Sequence, residues 1–327
     1  MATASHRNPI HLVLDWDGTL TKKDTMSFIA DFAHQRDLRK HGVRLDDYTR
    51  DWETFAHSYL EDYKQHVLKY DADRSEKGYT PKMESERLAS LQPVEEASMM
   101  RVMDSRFLEG LTREDVNAAA MKAVKDGKLE LRKGWYELFK RVVTRDVDKH
   151  IALPTSRATI GKVSILSVNW SATFIRLALK NSRTSREIFH ENDRDIHTYL
   201  TNMEILANDL EGLDDPNGSP GTFRDKPSVR TSDDKACYLP TTGNKVVYIG
   251  DSSTDFDCLL NADVAITIRD DPMESGQQSL KETFERMNIE TRHVSECEKS
   301  SNFRGVWWAG DFEEVLMFLD LRFDNET

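Results

Sequence analysis

Asp15 and Asp17 stand one residue apart and run directly into Gly18-Thr19-Leu20-Thr21. Two carboxylates so close repel each other unless a cation or a shared proton lies between them. Together they offer a nucleophile and a proton donor. Three later segments carry matching groups. Ser167-Val168-Asn169-Trp170-Ser171 brings hydroxyls and an amide, Ser232-Asp233-Asp234-Lys235 an ammonium, and Gly250-Asp251-Ser252-Ser253-Thr254-Asp255 two acids four residues apart. Hard oxygen ligands of this kind suit magnesium. Phosphoryl transfer asks mainly for charge neutralisation and an in-line nucleophile, and an aspartate serves as that nucleophile through an aspartyl-phosphate.

These groups act together only if the chain delivers them to one place. Ile10-His11-Leu12-Val13-Leu14 is short, branched and bounded by polar residues, which reads as a buried strand. It carries Asp15 and Asp17 to its carboxyl end, where Gly18 lets the chain turn away. Val163–Leu166, Glu204–Ala207, Val246–Ile249 and Val264–Ile268 read as further strands. Helices are expected from Gly134 to near Arg145, from Ser171 to Lys180 and from Phe312 to Leu321. Such alternation implies an α/β fold: a Rossmann-like, doubly wound parallel sheet, whose ligands bind at the carboxyl ends of its strands. Backbone amides at the helix start after Ser171 would suit an anion. Ser232 is positioned to cap a helix carrying Lys235 in its first turn. A cation there opposes the helix dipole and requires a compensating anion.

Between the first strand and the rest lies a long helical stretch. Met26, Phe28, Ile29, Phe32 and Ala33 recur at helical spacing, as do Trp52, Phe55, Tyr59, Tyr63 and Val67. Residues 71–78 form a polar connector, and Thr112 with Asp115 forms a capping box. The domain reading is therefore a core of residues 8–24 and 127–327 interrupted by a helical cap of residues 25–126. The Trp52/Phe55/Tyr59/Tyr63 stripe is expected to be bundle core, and would gain a role in binding a cationic heterocycle if it faced the sheet. Asp24, nine residues after Asp15, either caps the helix beginning near Thr25 or touches the substrate's far end. Trp307 and Trp308 are expected to pack in the core or at its edge.

The 327 residues carry a formal charge of −12, from 45 basic and 57 acidic residues. That balance argues against polymeric nucleic acid as a partner, whose binders present a basic face. No apolar run approaches the roughly 18 residues of a membrane span, and residues 1–7 carry no secretory pattern. Cys237, Cys258 and Cys297 are unpaired in pattern, which fits a reducing, cytoplasmic setting. None of the histidines falls at metal-ligand spacing, which sets zinc aside.

The order Asp-x-Asp-Gly-Thr (15–19), Ser167, Lys235 and Gly-Asp-Ser-x-x-Asp (250–255) resembles the haloacid dehalogenase superfamily of phosphohydrolases. A helical cap directly after the first motif is like that of its phosphoserine phosphatase branch. The resemblance implies that Asp15 attacks phosphorus and that Asp17 is general acid, then base. It implies that Ser167 and Lys235 hold the phosphoryl oxygens, with Asn169 and Gly18 beside them. Magnesium would be held by Asp15, Asp17 through its carbonyl, and Asp251, with Asp255 in support. An acid at position 17 favours a phosphatase or phosphomutase over the family's dehalogenases and cation pumps. Segments 167–175, 207–210 and 248–260 also look like the phosphatase half of plant thiamine monophosphate phosphatases, although 146–162 and the loops of 181–232 have no counterpart there. The expected function is a magnesium-dependent phosphatase of a small phosphorylated metabolite, thiamine monophosphate or a related vitamin-precursor phosphate among the candidates. The alternatives are a phosphomutase and a non-catalytic metabolite-binding protein. Each motif alone has a plain structural reading: a turn, a cap, a solvated lysine. Substrate identity and oligomeric state are not legible at this level.

Overall fold

The computed structural model describes residues 9–42, 45–72, 79–147, 160–184, 193–241, 243–298 and 302–323. The amino-terminal seven residues, most of the 71–78 connector, the middle of 146–162 and residues 185–192 of the 181–232 loops lie outside them. Among the described residues, seven strands form one sheet: β1 (Ile10–Leu14), β2 (Ile160–Leu166), β3 (Ile205–Leu206), β4 (Lys245–Gly250), β5 (Val264–Ile268), β6 (Thr291–His293) and β7 (Val306–Ala309). Their order is β3-β2-β1-β4-β5-β7-β6 and every pairing is parallel. The chain winds outward in both directions from β1, so the strand order reverses there, and a crevice opens at the carboxyl ends.

Strand β1 is buried along its whole length, as a parallel strand covered on both faces must be. Its alternating side chains divide the core. Ile10, Leu12 and Leu14 join one apolar cluster and Val13 the other. On the Leu12 face lie α1 (Phe28–His41), α5 (Arg113–Lys125), α6 (Trp135–Val147), α7 (Ala172–Thr184), α8 (Asp193–Asn202) and α12 (Phe312–Phe323). On the Val13 face lie α9 (Ser232–Tyr238), α10 (Phe256–Asn261) and α11 (Ser275–Arg286).

The helical stretch after β1 also contains α2 (Leu45–Ala72), α3 (Pro81–Ala89) and α4 (Gln92–Asp104). Outgoing and returning chains run side by side at its base: Lys22 N–H donates to Glu130 O and Arg132 N–H to Leu20 O, each at 2.9 Å. Helices α1 and α5 pack on each other and α5 packs on α7. Phe174 of α7 meets Phe28 at 5.9 Å and Phe32 at 5.2 Å between ring centroids. Helix α2 packs on α4, and α3 on α9 across the other face. The capping box at Thr112 and Asp115 is present as expected, and Asp115 is further held by a bidentate pair with Arg39.

Some expectations need correction. Thr231, not Ser232, caps α9: it is the extended residue, its hydroxyl accepts Asp234 N–H, and the Asp234 carboxylate returns to Thr231 N–H. Ser232 is the first helical residue, and its Oγ instead accepts Asp257 N–H at 2.9 Å, tying α9 to α10. Trp307 packs in the core and Trp308, half-buried, at its edge, as expected, on β7, a strand too short to announce itself by period; β6, α8 and α11 are likewise not marked in the sequence. No helix among the described residues is long and apolar enough to cross a membrane.

Phe174→Ala should lower unfolding stability by about 3–5 kcal/mol, the usual cost of a phenyl-sized void in a packed core. Chemical denaturation followed by tryptophan fluorescence measures it; a loss below about 1 kcal/mol would mean that α1 is not anchored through this ring.

Candidate functional site

Three neighbouring central strands end at the same edge. Asp15 follows β1, Ser167 follows β2 and Asp251 follows β4, in register through Leu14 with Ile165 and Ile249. Asp15 N–H continues the ladder to Ile249 O at 2.9 Å. After Asp15 the chain makes a tight turn over Trp16–Leu20, with Gly18 at φ 72°. A Cβ at Gly18 would run into the Asp251 carboxylate, so glycine is required both for its dihedral and for room. Thr19 Oγ1 then donates to Asp251 Oδ1 at 2.8 Å.

Lys235 is fully buried between two acids. Its Nζ lies 2.8 Å from Asp15 Oδ1 and 2.7 Å from Asp255 Oδ1. Lys235 lies in the last turn of α9, not the first as expected. Its need for anions therefore comes from burial and not from the helix dipole, and Asp15 and Asp255 supply them. Tyr248 Oη donates to the same Asp255 oxygen at 2.6 Å, while Asp255 Oδ2 accepts the N–H groups of Asp251 and Ser252 at 2.9 and 3.0 Å. Asp255 is thus saturated with donors and serves to fix Lys235 and the Asp251 turn. Carboxylate oxygens of Asp15, Asp251 and Asp255 lie within 4.8 Å of one another. With Asp255 engaged, Asp15 and Asp251 are the side chains free to hold a hard cation. Their excess negative charge, against one lysine, fits a divalent ion.

Asp17 sits apart from this cluster and is held by different partners. Its Oδ1 accepts Thr25 N–H at 2.7 Å and Thr25 Oγ1 at 2.5 Å, and its Oδ2 accepts Asn169 Nδ2 at 2.8 Å. Asn169, expected beside the phosphate, has its amide on Asp17 and Thr25 and its oxygen on Ser171 N–H, so it orients the acid. Gly18 N–H reaches Thr21 Oγ1 at 3.3 Å. Ser167 Oγ accepts Asn169 N–H at 3.2 Å, at the end of β2. The start of α7 offers no free amides, contrary to expectation. Ala172 N–H bonds to Asn208 O, Thr173 N–H to Asp209 Oδ1 and Phe174 N–H to Ser171 Oγ. Asn208 also clasps the carbonyls of Val168, Asn169 and Val229, tying the second motif to the approach of the third.

Burial dominates the electrostatics. It pushes Asp15 up to about 7, helped by the charge of Asp255 and opposed by Lys235. Asp17 rises to about 6, by burial and then the charge of Asp24, against its bonds from Asn169 and Thr25. Burial, with Asp255 and Asp15, also raises Asp251 well above the carboxylate range. Burial alone would lower Lys235, but Asp15 and Asp255 more than offset it and keep it firmly charged.

A cavity of about 380 Å³ opens beside these groups, between α2 and α4 on one side and Val168, Trp170, Arg230 and Thr254 on the other. Trp52, Phe55 and Tyr59 line it, so the aromatic stripe faces the sheet domain as well as packing in the helical layer. Trp52 meets Trp170 edge-on at 6.1 Å, and Trp170 is backed by Phe223 at 5.6 Å. Tyr59 Oη donates to Glu95 Oε1 at 2.8 Å. Asp24 does not cap α1, which begins at Phe28 with Ser27 as its N-cap; it accepts Met26 N–H at 2.7 Å in the turn ahead of the helix and also stands at the cavity wall. Thr25, Thr19, Tyr248 and Arg132 were missed in the sequence; Thr25 and Thr19 sit on the first-motif loop, and only that adjacency hinted at them.

No family model matches the chain. A CTO1 family protein of Schizosaccharomyces pombe is 25% identical over 262 residues, covering 79% of this chain and 81% of that protein. The mitochondrial Bifunctional TH2 protein of Arabidopsis thaliana is 22% identical over 264 residues, or 78% of this chain, which spans only 38% of that protein. Among solved structures, a phospho-aspartyl intermediate analogue of phosphoserine phosphatase aligns over 95% of this chain and 99% of that one, at 13% identity and a TM-score of 0.45.

Because Asp15, Asp17 and Asp251 bind protons more tightly folded than unfolded, the metal-free protein takes up protons on folding. Its stability should therefore fall as pH rises through about 4 to 7. Melting temperatures in chelator are expected to drop over that range, and saturating magnesium to flatten the slope. A metal-free profile that is level or rises with pH would contradict the burial of these acids.

Proposed function

We propose that the chain is a divalent-metal-dependent phosphomonoesterase working through an aspartyl-phosphate on Asp15. The observation that carries this reading is the Asp15 carboxylate at a strand end, paired with buried Lys235 at 2.8 Å and set close to Asp251. An Asp15 oxygen attacks phosphorus as the bond to the leaving oxygen breaks. Asp17, positioned by Thr25 and Asn169, gives that oxygen its proton. The same carboxylate then takes a proton from the water that attacks the aspartyl-phosphate, releasing inorganic phosphate and restoring Asp15. Lys235 and the Ser167 hydroxyl neutralise and hold the phosphoryl oxygens. Magnesium, held by Asp15, Asp251 and the Asp17 carbonyl, would supply further charge neutralisation when bound.

The organic part of the substrate falls to the adjoining cavity. Its aromatic walls and the acids Glu95 and Asp24 suit a flat, cationic group. Together with the motif likeness in segments 167–175 and 248–260, and the similarity to the Arabidopsis protein, this favours thiamine monophosphate or a related vitamin-precursor phosphate. The helical layer over the strand ends would exclude bulk water and set this preference. A cytoplasmic small-molecule phosphatase is the resulting picture.

Asp15→Asn should reduce turnover by at least about 1,000-fold in a protein that still folds, as circular dichroism checks. Its melting temperature should be lowered, because Lys235 loses one of its two carboxylates. Phosphate release from a panel of metabolite phosphates, with and without magnesium, provides the assay; appreciable activity in the variant rules out Asp15 as nucleophile. Glu95→Gln should raise KM for a cationic heterocyclic phosphate by roughly 5- to 50-fold, while KM for a small neutral aryl phosphate stays unchanged. Equal effects on both substrates would place the organic moiety elsewhere.

A further inference from the structure

We infer that Arg132, anchored by Asp270, is a positioning residue that holds the first-motif loop in the shape needed to bind the metal. Arg132 lies where the chain returns from the helical stretch and is only 3% exposed. Its guanidinium spends its donors on three targets: the turn after Asp17, Asp270 and, from Nη1 at 3.4 Å, Gly310 O. Nη2 donates to Gly18 O at 2.8 Å and Nε to Thr19 O at 3.1 Å, gripping consecutive carbonyls of the turn after Asp17. Nη1 and Nη2 pair with Asp270 Oδ1 and Oδ2 at 2.5 and 3.2 Å.

Asp270 is itself fixed. Gln277 Nε2 donates to Asp270 Oδ2 at 2.8 Å and Gln277 Oε1 accepts Asp270 N–H at 2.8 Å. From the other side of the turn, Thr19 Oγ1 holds Asp251 Oδ1 and Gly18 packs beneath the Asp251 carboxylate. A continuous set of contacts thus runs from Gln277 through Asp270 and Arg132 to the backbone that carries Asp17 and buttresses Asp251. A buried guanidinium is costly unless every donor is used, and the flat fork is what lets one side chain bind two adjacent carbonyls and a carboxylate at once. A lysine, as a single point charge, reproduces the charge without the grip.

The inference rests on the proposed metal site and separates a positioning role from a merely structural one. Magnesium binding to wild type, Arg132→Lys and Asp270→Asn is measured by calorimetry without substrate. Melting temperatures in chelator and steady-state kinetics accompany it. Both variants are expected to bind magnesium about 10- to 100-fold more weakly, with kcat falling more than KM and metal-free melting temperatures within a few degrees of wild type. Metal affinity equal to wild type overturns the inference, whether or not stability falls. If Arg132→Lys does not fold, Asp270→Asn decides alone, since it keeps Arg132 and removes only the charge that anchors it. Wild type that binds magnesium but releases no phosphate from any ester defeats the proposed activity and leaves this inference to the calorimetry. Wild type that binds no magnesium defeats both.

Discussion

A single buried ammonium organises the molecule's chemistry. Removing Lys235 from water costs several kcal/mol, and only close anionic partners repay it. Asp15 and Asp255 do so from the ends of two adjacent strands, which means the charge balance holds only if β1 and β4 are paired in their observed register. A one-residue slip would turn the acids to the opposite face. The phenol of Tyr248 and two backbone amides complete the shell around Asp255, so its geometry is over-determined. What the lysine leaves uncompensated, on Asp15 and Asp251, is the negative charge on which the proposed metal site rests.

The sheet explains why so distant residues converge. Because every strand is parallel, all carboxyl ends lie at one edge, and outward winding from β1 leaves that edge uncovered at the centre. The helical layer then closes the opening. Its base is a pair of antiparallel segments on either side of residues 21 and 131, so the cover is joined to the core close to the turn that follows Asp15.

Much of this was legible in the chain. Strands with dense branched apolar residues, such as Ile10–Leu14 and Val264–Ile268, announced themselves, and the Asp-Gly and Gly-Asp turns marked their functional ends. Those signals are local in sequence. What stayed hidden is non-local or short. Thr231 and Ser232 are chemically interchangeable caps until the backbone dihedrals distinguish them. The amides before α7 looked available because their acceptors, on Asn208 and Asp209, arrive from a loop some 36 residues away. Asn169 was read by its position beside Ser167, whereas its partners come from the first motif. Strand β7 depends on two tryptophans whose burial is set by neighbours, Trp307 against Phe318 and Trp308 against Arg269.

Trp170 touches Trp52 from the helical layer and Phe223 from the hairpin-like loop closed by Leu210 and Phe223. Three stretches distant in sequence therefore meet ring against ring; that of Trp170 also carries Ser167 and Asn169, while those of Trp52 and Phe223 carry none of the motif residues. Exchanging Trp52 or Trp170 would reshape the cavity wall while leaving the Lys235–Asp15–Asp255 contacts in place. The cavity wall and the charged cluster are built from different side chains, so either can change without the other.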